Sequence, residues 1–254
     1  EETEAAGALH YKLLTGPELS KMRTTEVHAE LRYAPGETHV NTKQRRVTIN
    51  LDAPSITIGH TTGIKGFLGG QYNYNFTEMH IYKRFWVNSW GKIDCHLKGG
   101  IQWNKVPFPL LSMPASNLSY VIEEETFNLV NNMEFLNDRY ASLMLSWDLN
   151  GKLFNRLPLI RRLKWREYIG VNMLWGTLSD KNNPTLASNA ADPILMHFPE
   201  GCHLMDANRP YVEVVVGIHN IFKLLHIEYV RRLNYNDLPT AQKRGLRYIM
   251  RLTF

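Results

Sequence analysis

The chain has 254 residues, is 44% hydrophobic, and carries a formal net charge of +5 with a pI of about 9.1. No run approaches the roughly 18 apolar residues that a spanning helix needs, so helical membrane crossing is out, and a small, scattered charge excess argues against a nucleic-acid partner. The two cysteines, Cys95 and Cys202, lie far apart in dissimilar contexts, which argues against a disulfide framework or a thiolate metal cage.

The chain opens EETEAAGALH, with neither an initiator Met nor a signal peptide, as expected of a mature or excised piece. Residues 1–23 read as a lead-in segment or loop, and residues 24–254 as one β-rich unit of about ten strands. The first strand, Thr24 to Ala34, alternates Val27, Ala29, Leu31 and Tyr33 against His28, Glu30 and Arg32. After the turn Ala34-Pro35-Gly36-Glu37, a second strand is predicted near Gln44 to Leu51 and a third near Ser55 to Thr62. Glycines 63, 66, 69 and 70 make a turn or bend; they are spaced wrongly for a phosphate loop. A fourth strand covers Gln71 to Lys83.

The fifth strand, Trp90 to Trp103, places Ile93, Cys95, Leu97, Ile101 and Trp103 on one face. Lys92, Asp94, His96, Lys98 and Gln102 take the other. A long connection, Asn104 to Asn137, precedes the sixth strand, Asp138 to Leu149. Asn150-Gly151 is a turn signal, and the basic segment after it suggests one or two helical turns. The seventh strand, Trp165 to Thr177, leads into a long polar loop, Leu178 to Arg209. The eighth, Pro210 to His219, sets Val212, Val214, Val216 and Ile218 against Glu213 and His219. The ninth, Leu225 to Tyr235, carries Leu225, Ile227, Tyr229, Leu233 and Tyr235 on one face, interrupted by Arg231. In the last strand, Leu246, Tyr248, Met250, Leu252 and Phe254 recur on every second position from Gly245 onward, with Ile249 the one apolar exception.

A strand of about ten residues rises about 33 Å, and a tilt near 45° projects this onto roughly 24 Å of bilayer. Counted back from the C-terminus, the links are about 9, 5, 32, 15 and 34 residues long. The longest share one parity, as external loops of a barrel would. The expectation is an all-β fold, an antiparallel transmembrane β-barrel in the bacterial outer membrane. The terminal strand Gly245, Leu246, Tyr248, Met250, Leu252 and Phe254 would serve as its assembly signal for the barrel assembly machinery. The competing fold is a soluble β-sandwich binding module, which uses aromatic residues as heavily.

The blocks NKVPFPLL (104–111), FNLVNNMEFLNDRY (127–140), NGKLFNRLPLIRRLKWRE (150–167), LWGTLSD (174–180), PYVEVVVGIHNIFKLLHIEYVRRL (210–233) and GLRYIMRLTF occur in this order. They resemble a large Bacteroidota outer-membrane family of unknown function, labelled carboxypeptidase-regulatory-like domain-containing proteins. The resemblance implies that the chain is the C-terminal part of a larger barrel, similar to the BamA-like class of assembly and secretion factors. Six strands would then be supplied by a missing N-terminal portion or another chain. The Arg-Gly-aromatic motif of that class does not occur in Asn104–Asn137. The label implies no peptidase, since the regulatory module is non-catalytic and absent here.

No HExxH, GxSxG or paired Cys/His spacing occurs, so no enzyme, cofactor or metal is expected. Ten histidines read as structural or lumen-lining groups, and the Gly201–Asp206 stretch offers only His203 and Asp206 as a weak metal pair. Asp94, His96, Lys98, Glu213 and His219 are candidate lumen residues. Glu134, Asp138 and Arg139 either anchor an in-folded loop through charge-assisted bonds or form a hydrated strand start. Glu123, Glu124 and Glu125 read as a solvated loop face. Arg161, Arg162 and Lys164, in a basic run with Lys152, Arg156 and Arg166, are candidates for lipid head-group contact. The functional expectation is a non-enzymatic outer-membrane protein of transport, secretion or assembly. The alternative is a passive or substrate-selective pore.

Overall fold

The structure, a computed structural model, describes residues 1–7 and 9–251. Nine strands form one antiparallel sheet: β1 (Glu26–Tyr33), β2 (Ser55–Gly63), β3 (Tyr74–Trp86), β4 (Lys92–Gln102), β5 (Arg139–Asp148), β6 (Arg166–Thr177), β7 (Tyr211–Ile221), β8 (Leu225–Arg232) and β9 (Arg244–Met250). Each pairs with its neighbours in sequence, so the sheet is a meander with β1 and β9 at its edges. The fold is therefore all-β, but the described residues form an open sheet and not a closed barrel. Residues 252–254 lie outside the described residues, and with them Leu252 and Phe254, two of the six residues of the expected terminal signal.

The two faces differ as the period of two requires. One face is bare. Leu31 and Ile58 lie opposite each other on it, and Trp147, Ile169, Val216, Tyr229 and Leu246 follow one another across successive strands. Leu31 is 71% exposed and Val216 55%. The other face is polar and is covered from β4 to β9, whereas β1 is exposed on both faces. The covered face carries Lys92, Asp94, His96 and Lys98 on β4, Ser142 and Ser146 on β5, Glu213 on β7, Glu228 and Arg232 on β8 and Arg247 on β9. What covers it is chain from the links, chiefly 104–137, rather than a second sheet.

The two longest links share one end of the meander. At one end lie 64–73, 103–138, 178–210 and 233–243; at the other, 34–54, 87–91, 149–165 and 222–224. Residues 1–23 join the long-link end. They form two small antiparallel pairs, Glu2–Glu4 with Lys21–Arg23 and Tyr11–Lys12 with Glu18–Leu19. Tyr11 and Met22 pack there with Val106, Phe108, Leu111, Leu136 and Met196. A second apolar cluster joins Phe127, Val130 and Phe135 to Met144, Leu174 and Tyr211 on the covered face. Gly176 permits this approach: a Cβ there would lie 2.4 Å from the Asn137 side chain.

Two expectations are corrected. The segment Gln44 to Leu51 is not a sheet strand. It supplies one arm, Arg46–Thr48, of a hairpin with His39–Asn41 inside the first turn-end link. Val47, Ile49 and Leu51 alternate as a strand would, but a short two-stranded ribbon satisfies the same pattern. The ninth predicted strand also ends early, at Arg232, and Tyr235 leaves the apolar face. It adopts φ 54°, is buried, and donates its hydroxyl to the Arg209 carbonyl at 2.6 Å. The Asn150-Gly151 turn is present, with φ of 53° and 76°. A 3-10 turn at Phe154–Arg156 and a short helix at Pro158–Arg161 follow it.

Candidate functional site

The site is the seam where 127–138 seats on the covered face. Glu213 is fully buried and collects five donors from three segments. The Asn128 and Leu129 backbone N–H groups donate to it at 2.9 and 3.1 Å. Asn128 Nδ2 does so at 3.3 Å, Asn172 Nδ2 at 2.8 Å and the Tyr211 hydroxyl at 2.8 Å. A buried carboxylate survives desolvation only with such a shell. Its backbone donors make it a socket for the link rather than an empty acid.

Beside it, Arg232 Nη2 meets Glu134 Oε1 at 2.6 Å, with neither side chain exposed. Glu134 also accepts the Asn131 N–H at 2.8 Å. Arg232 donates further to the Leu129 and Asn234 carbonyls and stacks its guanidinium 4.9 Å from the Tyr211 ring centre. Arg247 donates to the Asn128 carbonyl. Leu129 fills the gap between these pairs against Val215 and Val230. The link is thus held at its tip by wall charges on β7, β8 and β9.

The other two predicted anchor residues go elsewhere. Asp138 is buried, but it accepts from the Ser179 N–H at 3.1 Å, from the Ser179 hydroxyl and from Asn182 Nδ2 at 2.9 Å. It therefore ties the link between β6 and β7, not the wall. Arg139 starts β5 on the bare face, opposite Ile101 and Thr177, and is exposed. It takes no part in the anchor, because the chain reverses face parity between Asp138 and Arg139.

A second grouping lies on β3 and β4. His80 Nε2 and His96 Nδ1 are 3.2 Å apart. Glu125 reaches His96 at 3.3 Å, His80 at 4.0 Å and Lys98 Nζ at 2.6 Å. Burial pushes the Glu125 carboxyl up, but the Lys98 hydrogen bond and the neighbouring histidines and lysine outweigh it and leave it below the usual carboxylate range. Glu125 is therefore not part of a solvated face, whereas Glu123 and Glu124 are exposed. Further along β4, Asp94 accepts from Arg84 at 2.9 Å and from the Tyr82 hydroxyl at 3.0 Å.

His219 sits apart, near the turn end. Its Nε2 is 3.0 Å from Glu228, and its ring stacks 4.5 Å from Tyr168. The five predicted covered-face residues thus divide among three places. Asp94, His96 and Lys98 share β4, Glu213 holds the link, and His219 pairs with Glu228. Among the described residues, the one three-ligand grouping at metal-holding distance is His80, His96 and Glu125, and His203 and Asp206 form no part of one. Arg161, Arg162 and Lys164 are all exposed in the 149–165 link. They stand among Leu153, Leu157, Leu159 and Leu163, of which Leu159 is 82% exposed.

Arg232, Arg247, Asn128, Asn172 and His80 are the residues that sequence reasoning missed. Arg232 and Arg247 carry a usable signal, since both fall on the polar parity of their strands. Asn128 carries none, because its role comes from its backbone.

The fold and the seam define an all-β protein in which one large antiparallel sheet is covered on its polar face by its own links. Residues 12–182 match the C-terminal domain of a family of unknown function, DUF5686, and the chain belongs to that family. No curated protein matches it.

Proposed function

We propose that this chain is a segment of an integral outer-membrane β-barrel, non-enzymatic, working in envelope transport, secretion or outer-membrane assembly. One observation carries the reading: large apolar side chains dominate the bare face, while the buried charges Glu213, Glu228, Arg232 and Arg247 lie on the opposite face. In water, each Leu, Ile or Val left exposed forfeits about 1.5–3 kcal/mol of burial energy. Lipid removes that penalty. It also explains why the polar residues point inward, as in barrels whose interior is wet or plugged. A soluble sandwich would place a second sheet over one face; here irregular chain covers the polar face and leaves the apolar one open.

The two free edges fit the same reading. An unpaired edge in lipid leaves backbone groups unsatisfied at several kcal/mol each. On this proposal further strands, from the same chain or another, pair with β1 and β9. The β9 edge already takes a partial substitute: the Tyr248 N–H donates to Tyr120 O at 2.8 Å, and the Ile122 N–H to Tyr248 O at 3.1 Å. The exposed leucines and basic residues of 149–165 suit a lipid–water interface, with Arg161, Arg162 and Lys164 near head groups. A passive pore is less well supported, because the 127–138 segment fills the covered face. The resemblance to assembly and secretion factors favours a role in moving other proteins or lipids.

The test is cell fractionation followed by gel mobility in mild detergent, with and without boiling. Recovery in the outer membrane with a heat-dependent shift supports the proposal. Recovery in a detergent-free soluble fraction, with no shift, overturns it.

A further inference from the structure

The histidine pair on β3 and β4 is arranged as a ligand set. A four-coordinate Zn2+ holds nitrogen and oxygen ligands at about 2.0–2.1 Å, which places tetrahedral ligand atoms about 3.3 Å from one another. His80 Nε2 and His96 Nδ1 are 3.2 Å apart, and His96 Nδ1 and Glu125 Oε1 are 3.3 Å apart. All three residues offer ligand atoms within 4.8 Å of one another, and all are half-buried on the covered face. We propose that His80, His96 and Glu125 bind a divalent transition-metal ion of the Zn2+ type, with a fourth position open to water.

The ligands come from two kinds of chain. His80 and His96 belong to adjacent wall strands that are in fixed register, with His80 opposite Lys98 and His96 opposite Tyr82. Glu125 comes from the covering link, where its backbone takes φ 61° and its carboxylate meets His96 and Lys98 on the wall. A metal here would latch the 104–137 link to the wall at a point separate from the Glu134–Arg232 pair. Two imidazoles and one carboxylate suit Zn2+ better than Ca2+ or Mg2+, which prefer all-oxygen sets. The two carboxylate oxygens divide the work. Oε1 faces His96, while Oε2 lies 2.6 Å from Lys98 Nζ. Lys98 thus sits on the oxygen turned away from His96, and its positive charge opposes the ion. The inference does not depend on the membrane reading.

The protein at its full natural length, in mild detergent and stripped with a chelator, is titrated with Co2+ and then with Zn2+. The expected result is one Co2+ per chain with the intense visible absorption of a four-coordinate ion, bleached by Zn2+. The double variant His80→Ala/His96→Ala loses the absorption and binds more than about tenfold more weakly, since even outer partners of a ligand cost this much. Lys98→Met keeps every ligand and binds several-fold more tightly. Zn2+ also slows proteolysis of the 112–126 stretch in the natural protein and not in the double variant. A six-coordinate spectrum, unchanged affinity in the double variant, or weaker binding by Lys98→Met overturns the site.

Discussion

Removing Glu134 isolates a positive charge inside the protein. In Glu134→Ala, Arg232 keeps its hydrogen bonds to the Leu129 and Asn234 carbonyls but loses its counter-ion, with its own side chain fully buried. Two unit charges about 4 Å apart attract by about 4 kcal/mol at an effective dielectric near 20. Deleting one partner of a buried pair costs about 3–5 kcal/mol, because the remaining charge has no water to return to. The loss falls on docking of 127–138, so the link should open before the sheet melts. Limited proteolysis and amide hydrogen exchange report this directly, as faster cleavage and exchange across 127–138 with strands β2 to β6 unchanged. A double-mutant cycle with Arg232→Met isolates the pair, and the double substitution should recover most of the loss, since an apolar replacement removes both desolvation costs. A coupling energy below about 0.5 kcal/mol, or uniform destabilisation of the sheet, would refute the assignment of this pair as the anchor.

Gly176→Ala should loosen the same seam from the other side, by about 1–3 kcal/mol, because the new Cβ lands 2.4 Å from the Asn137 side chain; thermal unfolding in detergent measures it, and an unchanged midpoint would show that Asn137 moves freely. The Glu37 carboxyl is held down to about 2, chiefly by its hydrogen bond from Arg32. A depressed folded value means a contribution present above the unfolded value of about 4.3 and lost as pH falls through about 2. Protection of the 36–50 amides, taken relative to intrinsic exchange at each pH, should therefore hold from neutral pH down to about 4.3 and fall below it, whereas in Glu37→Gln it should be low and flat across that window. Burial pushes the Cys202 thiol up to about 12, so alkylation followed by mass spectrometry at mildly alkaline pH should leave it unmodified in the folded protein and label it after denaturation.

The strands were legible because one face of each is apolar, and period two assigns every side chain to a face once register is set. That logic placed Val212, Val214 and Val216 opposite Glu213 and located the long links at one end. It failed where alternation is met by something smaller than a sheet strand, as at Gln44 to Leu51. It failed again where a chain leaves the sheet, as at Tyr235, because periodicity carries no signal for the turn that ends it. The site was half legible. Glu134 stood out as an acid at a loop end, yet its partner Arg232 is about 100 residues away, and only the fold brings them together. Arg139 looked equivalent to Asp138 in sequence; a one-residue step at the start of a strand sends the two to opposite faces.

The seam itself makes the covering link more than filler. Of the two longest sequence blocks in that link, 104–111 contributes Val106, Phe108 and Leu111 to the cluster at the long-link end. The other, 127–140, contributes the tip that Glu213, Arg232 and Arg247 hold. Apolar contact alone would fix depth but not register, since Leu129 against Val215 and Val230 tolerates sliding. The buried charges remove that freedom: a shift of one residue would strip Glu213 of its backbone donors and strand Glu134 opposite no cation, at several kcal/mol each. Such a pairing is costly to open by thermal motion and easy to open by a competitor that supplies its own donors to Glu213. A partner working on this face would therefore displace 127–138 by offering backbone N–H groups and a carboxylate. A synthetic peptide of that segment, added in excess, should raise exchange across 127–138 in the intact protein, and the same peptide with Glu134→Ala should not. Equal effects from both peptides would mean that the charges do not set the register.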